Sequence, residues 1–190
     1  MDRDTILIVS GLPRSGTSMM MKMLEAGGMP VLTDNIRSAD QDNPRGYYEF
    51  ERVKQIEHDK AWLLEAQGKS VKMIAGLLKH LPPDYAYKII FMQRNMDEIL
   101  ASQREMLTRR GEASGSIGDD RMGMLFRRHI EQVKAWLAMQ PNIEVLCIDY
   151  SDVLANPVVQ GERINRFLGN MLNVGKMAEA VDPRLYRQRQ

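Results

Sequence analysis

Residues 5–18 read TILIVSGLPRSGTS, and this stretch decides the fold of the chain. Its first part, residues 5–10, is a run of aliphatic and β-branched residues without polar alternation, which is typical of a strand buried on both faces. A glycine-bearing loop follows, and a helix is predicted over Thr17–Ala26, ended by Gly27 and Gly28. A strand, a glycine loop and a helix in this order predict the opening of an α/β protein.

The rest of the chain repeats the alternation of strands and helices. Strands are predicted at 71–75, 88–93 and 143–148, and helices at 49–67, 77–81, 95–110, 119–139 and 157–168. Two polar segments, 31–48 and 111–118, are predicted as loops. Continuous apolar strands between helices predict an α/β three-layer sandwich with a mainly parallel sheet, similar to P-loop NTPases, in one domain over residues 1–190.

Composition and charge exclude several classes of protein. The chain has 190 residues with 26 basic and 25 acidic side chains, so a dedicated nucleic-acid binder is not expected. The single cysteine, Cys147, has no histidine or cysteine at metal-binding spacing, and the three histidines are dispersed, so no metal site is expected. Because neither a secretory leader nor a membrane-spanning run is visible, the sequence predicts a cytoplasmic protein without a membrane partner.

The loop after the first strand has the glycine spacing of a phosphate-binding loop. Gly11, Gly16 and Ser18 match the pattern G-x-x-x-x-G-K-[ST], but Thr17 stands where the lysine is expected. Backbone N–H groups and the positive end of the following helix can still bind an anion, and Arg14 adds a fixed charge. Since the missing lysine normally holds the β- and γ-phosphates, ATP or GTP hydrolysis is less favoured.

This lysine-less loop resembles that of the sulfotransferase superfamily, in which it holds the 5′-phosphosulfate of PAPS, the sulfuryl donor. The resemblance implies that the donor is bound by Pro13, Arg14, Ser15, Gly16, Thr17 and Ser18. A second match is Arg94 at a strand end followed eight residues later by Ser102, a pair that binds the 3′-phosphate in the family. A third match, from Tyr150 to Gly169, is predicted to be scaffold.

Within the superfamily the chain resembles compact bacterial sulfotransferase-family proteins, which share the loop at 11–18 and a segment like 43–47. The resemblance implies transfer of a sulfuryl group from PAPS, with PAP as product, to a hydroxyl or amine of a small-molecule or carbohydrate acceptor. Arg14 would stabilise the sulfuryl oxygens electrostatically, because an arginine does not readily give up its proton.

The general base is the open part of the mechanism. In carbohydrate and tyrosyl members of the family, a carboxylate shortly after the helix of the loop acts as the base. Asp34 is the first candidate because it has the corresponding position, and Glu49 and Asp42 are alternatives. His80 lies in a His-Leu-Pro sequence like that of the cytosolic family, but it is too close to the strand that ends in Arg94, so we interpret it as a surface or helix-end histidine. Other functions that the sequence allows are a P-loop nucleotide kinase or phosphatase and a non-catalytic nucleotide-binding module.

Overall fold

The computed structural model describes residues 1–34, 47–109, 111 and 118–182. These residues form a parallel sheet of four strands in the spatial order β2-β1-β3-β4. The strands are β1 (Ile6–Gly11), β2 (Ser70–Ile74), β3 (Tyr87–Gln93) and β4 (Ile143–Asp149). Each predicted strand is therefore present, and the parallel α/β architecture is confirmed.

Helices cover both faces of this sheet and complete the three layers. They are α1 (Thr17–Ala26), α2 (Leu63–Ala66), α3 (Met96–Arg109), α4 (Asp119–Leu137), α5 (Tyr150–Ala155), α6 (Pro157–Phe167) and α7 (Val174–Glu179). Two 3₁₀ helices lie at Glu51–Gln55 and Ala75–His80. The short helices α5 and α7 have no counterpart among the predicted elements.

The core has two parts because successive residues of a strand point to opposite faces of the sheet. All six residues of β1 are buried. Ile8 packs in a cluster with Trp62 and with Leu137 of α4. Val9, its neighbour in sequence, packs on the other face with Met20 of α1 and with residues of α6 and α7. Helix α1 and helix α4 therefore lie on opposite sides of the sheet.

The prediction of one helix over 49–67 is wrong. The chain instead forms the 3₁₀ helix Glu51–Gln55, an irregular turn and the four residues of α2. The carboxylate of Asp59 accepts a hydrogen bond from the backbone N–H of Ala61 and another from Arg52 Nε, both at 3.0 Å. A side chain that takes up backbone N–H groups in this way competes with helix formation.

The strand order places a topological switch point at the carboxyl end of β1. The chain leaves β1 toward β2 on one side and later returns to β3 on the other side. In open parallel sheets, ligands bind in the crevice outside the strand ends at such a point. Here that crevice is bounded by Gly11, which ends β1 and is in register with Met92 of β3.

The described ranges lack two kinds of feature. No helix in them is both long and apolar enough to cross a membrane. Nor do they contain a group of three or more His, Cys, Asp or Glu side chains that could hold a metal ion.

Candidate active site

The loop between β1 and α1 is held in a conformation that requires glycine. Gly11 has φ 151°, and a Cβ added there would lie 2.5 Å from Ser15 Oγ and 2.7 Å from the carbonyl oxygen of Met92. Gly16 has φ 97° and a Cβ there would lie 2.4 Å from the ring of Tyr150. Positive φ is cheap only for glycine, so the predicted loop glycines are explained by both torsion and space.

The first turn of α1 offers its N–H groups to an anion. The N-cap residue is Gly16, and because glycine has no side chain, no side-chain cap occupies the N–H groups of the first turn. Beside it, Ser15 is 1% exposed, and its Oγ has no hydrogen-bond partner in the described part of the chain. A buried hydroxyl without a partner is costly unless a ligand or a water satisfies it. The helix end and the hydroxyl together fit the predicted phosphate loop.

The structure brings Arg94 and Ser102, the pair implied by the resemblance to the sulfotransferase superfamily, next to this loop. Arg94 Nη1 donates to the carbonyl oxygen of Arg14 at 3.1 Å. Arg14 Nε in turn donates to Ser102 Oγ at 2.9 Å. Arg14 has φ 70°, a left-handed conformation that is uncommon outside glycine. Two cationic side chains and one hydroxyl therefore meet beside the N-terminus of α1.

Two residues that hold Arg94 were not predicted as part of the site. Glu98 Oε2 accepts from Arg94 Nε at 2.8 Å, and each side chain of this pair is 9% exposed. The guanidinium of Arg94 lies over the ring of Tyr150, 4.5 Å from its centroid. Burial raises the pKa of the Tyr150 hydroxyl, against the opposing effect of Arg94, so this phenol stays neutral.

The sequence did contain a signal for Tyr150. It immediately follows β4, so it lies at the same carboxyl edge of the sheet as the phosphate loop. From the sequence, the segment that begins at Tyr150 is predicted to be scaffold. In the structure the Tyr150 ring contacts the guanidinium of Arg94 and lies against Gly16. It therefore lies between Arg94 and the loop that precedes α1.

The predicted carboxylates Asp34 and Glu49 lie side by side. The backbone N–H of Asp34 donates to the carbonyl oxygen of Glu49 at 3.2 Å. Asp34 Oδ2 accepts from the backbone N–H of Glu51 at 2.6 Å, which places it at the start of the 3₁₀ helix. Glu49 Oε1 lies 3.8 Å from Lys72 Nζ. The alternative Asp42 and most of the 43–47 segment lie outside the described residues.

Lys72 connects these carboxylates to the phosphate loop and was missed in the sequence. Its Nζ donates to the carbonyl oxygen of Tyr47, and the same oxygen is 3.5 Å from Ser18 Oγ at the end of the loop. In the sequence, a lysine inside the predicted strand 71–75 looks like any other polar residue, and it has no motif spacing that would indicate a role in the site. Only the pairing of β2 with β1 brings it to this place.

His80 and His58 take no part in these contacts. His80 ends the 3₁₀ helix Ala75–His80 and is half-buried, and His58 is exposed in the turn before α2. In the part of the chain that the structure describes, the imidazoles of His80 and His58 make no hydrogen bond or ion pair, although the backbone N–H of His58 donates to the carbonyl oxygen of Gln55 at 2.8 Å. This agrees with the interpretation of His80 as a helix-end residue.

The fold and the site together define an α/β protein of the P-loop-like class with a lysine-less phosphate loop. The family model described as the sulfotransferase domain matches residues 3–187. The chain therefore belongs to the sulfotransferase domain family. No curated protein matches the chain in sequence.

Solved structures resemble the chain in fold. The sulfotransferase domain of the Synechococcus PCC 7002 olefin synthase is 14% identical with a TM-score of 0.58, and the match covers 100% of this chain and 89% of that one. Mouse sulfotransferase SULT7A1, solved with PAP, is 19% identical with a TM-score of 0.53. Retinol dehydratase, solved with androsterone and the inactive cofactor PAP, is 18% identical with a TM-score of 0.53. The last two matches each cover 98% of this chain but only 65% of the other.

Proposed function

We propose that the protein transfers the sulfuryl group of PAPS to a hydroxyl or amine of a small-molecule or carbohydrate acceptor and releases PAP. The observation that carries this proposal is the meeting of Arg14, Arg94 and Ser102 beside the N-terminus of α1. Membership of the sulfotransferase domain family supports it. One domain over residues 1–190 and a cytoplasmic location stay predictions from the sequence.

The residues present fit a donor that carries phosphate groups at two ends. The loop residues Pro13, Arg14, Ser15, Gly16, Thr17 and Ser18 would hold its 5′-phosphosulfate. Arg94 and Ser102 would hold its 3′-phosphate. The buried Ser15 hydroxyl, which lacks a partner among the described residues, and the narrow space at Gly16 are what such a cradle needs. When bound, PAPS supplies an activated sulfuryl group.

Arg14 has an electrostatic task in this proposal. Its guanidinium is fixed by Ser102 and its carbonyl oxygen by Arg94, so the charge is positioned before any ligand arrives. A preorganised charge of this kind stabilises the negative charge that develops in a transition state without reorganisation at that moment. Because an arginine stays protonated, Arg14 cannot protonate the leaving group.

Asp34 and Glu49 are the proposed general bases, and Asp34→Asn tests the first. An asparagine Oδ1 can still accept from Glu51 N–H, so the 3₁₀ helix keeps its start. We expect kcat to fall by roughly 10²–10⁴-fold, the usual loss for a missing general base, with the Kd for PAP unchanged. Steady-state kinetics and PAP titration measure the two quantities.

Asp59→Asn is the matched control for that variant. The Asp59 side chain also accepts a backbone N–H, from Ala61, but its contacts are with Ala61 and Arg52 and involve no residue of the phosphate loop. Its kcat should stay within about twofold of the unchanged protein, as surface substitutions usually do little. Unchanged turnover in both Asp34→Asn and Glu49→Gln would contradict a carboxylate base at this place.

Ligand-induced thermal stabilisation separates the proposed donor from other nucleotides. PAP at a hundred times its Kd should stabilise the fold by about 2.7 kcal/mol. For a chain of this length that raises Tm by roughly 5–10 °C. Stabilisation by ATP–Mg²⁺ without stabilisation by PAP would instead identify a P-loop kinase or phosphatase. PAP binding without sulfuryl transfer to any acceptor would identify a non-catalytic module.

A further inference from the structure

Two buried polar residues of α3 each hold an arginine of the site. Glu98 and Ser102 lie four residues apart, a spacing that places them on one face of the helix. Glu98 is 7% exposed, and its Oε2 accepts from Arg94 Nε at 2.8 Å. Ser102 is 6% exposed, and its Oγ accepts from Arg14 Nε at 2.9 Å. One face of α3 therefore anchors both arginines.

A single hydrogen bond connects Glu98 to the backbone of the phosphate loop. Arg94 Nη1 donates to the carbonyl oxygen of Arg14 at 3.1 Å, while the Nε of the same guanidinium donates to Glu98. A guanidinium is planar, and its N–H groups point in fixed directions. A displacement of the Nε edge therefore also displaces the Nη1 that holds the loop.

The loop residue at the end of this chain of contacts has an uncommon backbone conformation. Arg14 has φ 70°, and residues with a Cβ keep such a conformation only where their surroundings impose it. Its carbonyl oxygen is held by Arg94 and its side chain by Ser102. If the guanidinium of Arg94 shifts, the first restraint weakens, and the loop loses part of its preorganisation for an anion.

Stabilisation of the helix N-terminus alone does not explain Glu98. Asp97 and Glu98 both lie in the first turn of α3, where a negative charge is favourable. Asp97 is exposed and can provide that charge from the surface, whereas Glu98 is buried and paired with Arg94. Burial of a carboxylate is costly unless the carboxylate is paired, so the position of Glu98 indicates a task directed at the guanidinium.

We propose that Glu98 is a positioning residue for the donor's 5′-phosphosulfate: through the guanidinium of Arg94 it fixes the conformation of the phosphate loop at Arg14. This inference rests on the proposed binding of PAPS. Glu98 does not touch the donor in this role. The length of its side chain matters more than its charge, because the length sets where the Nε edge of Arg94 lies.

Two substitutions separate length from charge. Glu98→Gln keeps the length and an oxygen that can accept from Arg94 Nε, but it removes the charge. Glu98→Asp keeps the charge but is shorter by a methylene, so the guanidinium of Arg94 has to move. Adenosine 5′-phosphosulfate, which lacks the 3′-phosphate, is the probe because it reports on the loop alone, and calorimetric titration gives its Kd.

The Kd for adenosine 5′-phosphosulfate should rise roughly three- to tenfold in Glu98→Asp, as for the loss of one hydrogen bond, and stay within about twofold in Glu98→Gln. Tm should show a different order. It should fall in Glu98→Gln at least as far as in Glu98→Asp, because the glutamine leaves the buried charge of Arg94 unneutralised. A merely structural role would make affinity follow Tm, so this opposite order tests positioning.

Glu105→Asp is the matched control. Glu105 pairs with Arg109 at the same four-residue spacing on the same helix, with 3.0 Å between Oε1 and Nη2. Shortening it should leave the Kd for adenosine 5′-phosphosulfate within about twofold. In an Arg94→Ala background, Glu98→Asp should not weaken this ligand further, because the connection through Arg94 is already absent.

The outcomes separate this inference from the proposed function. If neither PAP nor adenosine 5′-phosphosulfate binds the unchanged protein, the proposed function is overturned. If PAP binds but adenosine 5′-phosphosulfate does not, the loop does not bind the phosphosulfate by itself, and this inference is overturned. It is also overturned if Glu98→Asp weakens PAP but not adenosine 5′-phosphosulfate, or if Glu98→Asp and Glu98→Gln have equal affinities.

Discussion

Replacing Gly16 by alanine is expected to abolish PAP binding and to lower Tm more than any other single change at the site. The alanine Cβ would lie 2.4 Å from Tyr150 Cδ2 and 2.9 Å from Cε2, both atoms of a ring that also stacks on Arg94. The backbone at this position has φ 97°, which an alanine rarely adopts. Relief of either strain moves the N-terminus of α1 or the ring.

The backbone strain and the steric overlap with Tyr150 each lower the free energy of unfolding. A left-handed conformation costs a residue with a Cβ about 1–2 kcal/mol. Overpacking in a filled site costs about 1–3 kcal/mol more. Their sum corresponds to a fall in Tm of roughly 5–20 °C for a chain of this size. Thermal denaturation and PAP titration of Gly16→Ala measure the two effects.

Gly28→Ala is the matched control for the torsional part. Gly28 has φ 99°, nearly the angle of Gly16, but a Cβ there would meet no atom within 4 Å. This variant should lose only the torsional share of stability and should bind PAP with an unchanged Kd. If Gly16→Ala and Gly28→Ala had equal Tm and equal PAP affinity, the close approach of Tyr150 to the loop would be irrelevant to the site.

Arg94→Ala is expected to weaken PAP binding roughly 10- to 150-fold, the equivalent of the ~1.5–3 kcal/mol of one charge-assisted contact. Adenosine 5′-phosphosulfate, which lacks the 3′-phosphate, should lose less than about tenfold. It loses something because Arg94 also holds the carbonyl oxygen of Arg14 in the loop. Equal losses for the two ligands would refute the assignment of Arg94 to the 3′-phosphate.

A double variant separates loss of the phosphate contact from loss of stability. Arg94→Ala alone leaves the Glu98 carboxylate, only 9% exposed, without its guanidinium, and breaking a buried pair from one side is strongly destabilising. Arg94→Ala combined with Glu98→Ala removes both charges, so Tm should recover while PAP binding stays weak. Arg104→Ala, at an exposed arginine of α3 that pairs with Asp119, should leave the Kd for PAP unchanged.

Local patterns in the sequence predicted most of the fold. The strands at 5–10, 71–75, 88–93 and 143–148 were predictable because strands buried on both faces are continuous apolar runs. The helix predicted at 49–67 failed because the Asp59 side chain takes up the Ala61 N–H and Arg52, a local competition that apolar spacing does not reveal. The short helix α5 was missed because its six residues carry too little periodicity.

Some residues of the candidate site could likewise be predicted from the sequence, and others could not. The loop at 11–18 could be found because its glycine spacing is fixed within one turn, and the pair Arg94 and Ser102 followed from the resemblance to the sulfotransferase superfamily. Glu98 could have been read from its position four residues after Arg94, a spacing that brings two helical side chains together. Lys72 could not, because only the pairing of β1 with β2 brings it to the loop. The position of Tyr150 directly after β4 predicts that it lies at the carboxyl edge of the sheet, but its contact with Arg94 depends on the pairing of β4 with β3.

The sequence by itself determined the α/β class, the lysine-less loop and the charges available to bind an anion, because torsion, periodicity and charge are properties of neighbouring residues. The tertiary structure decided which of these groups meet. Arg14 donates to a serine 88 residues away, and the guanidinium of Arg94 lies over the ring of Tyr150. Such contacts depend on strand order and on the faces that helices cover, and no local pattern encodes either.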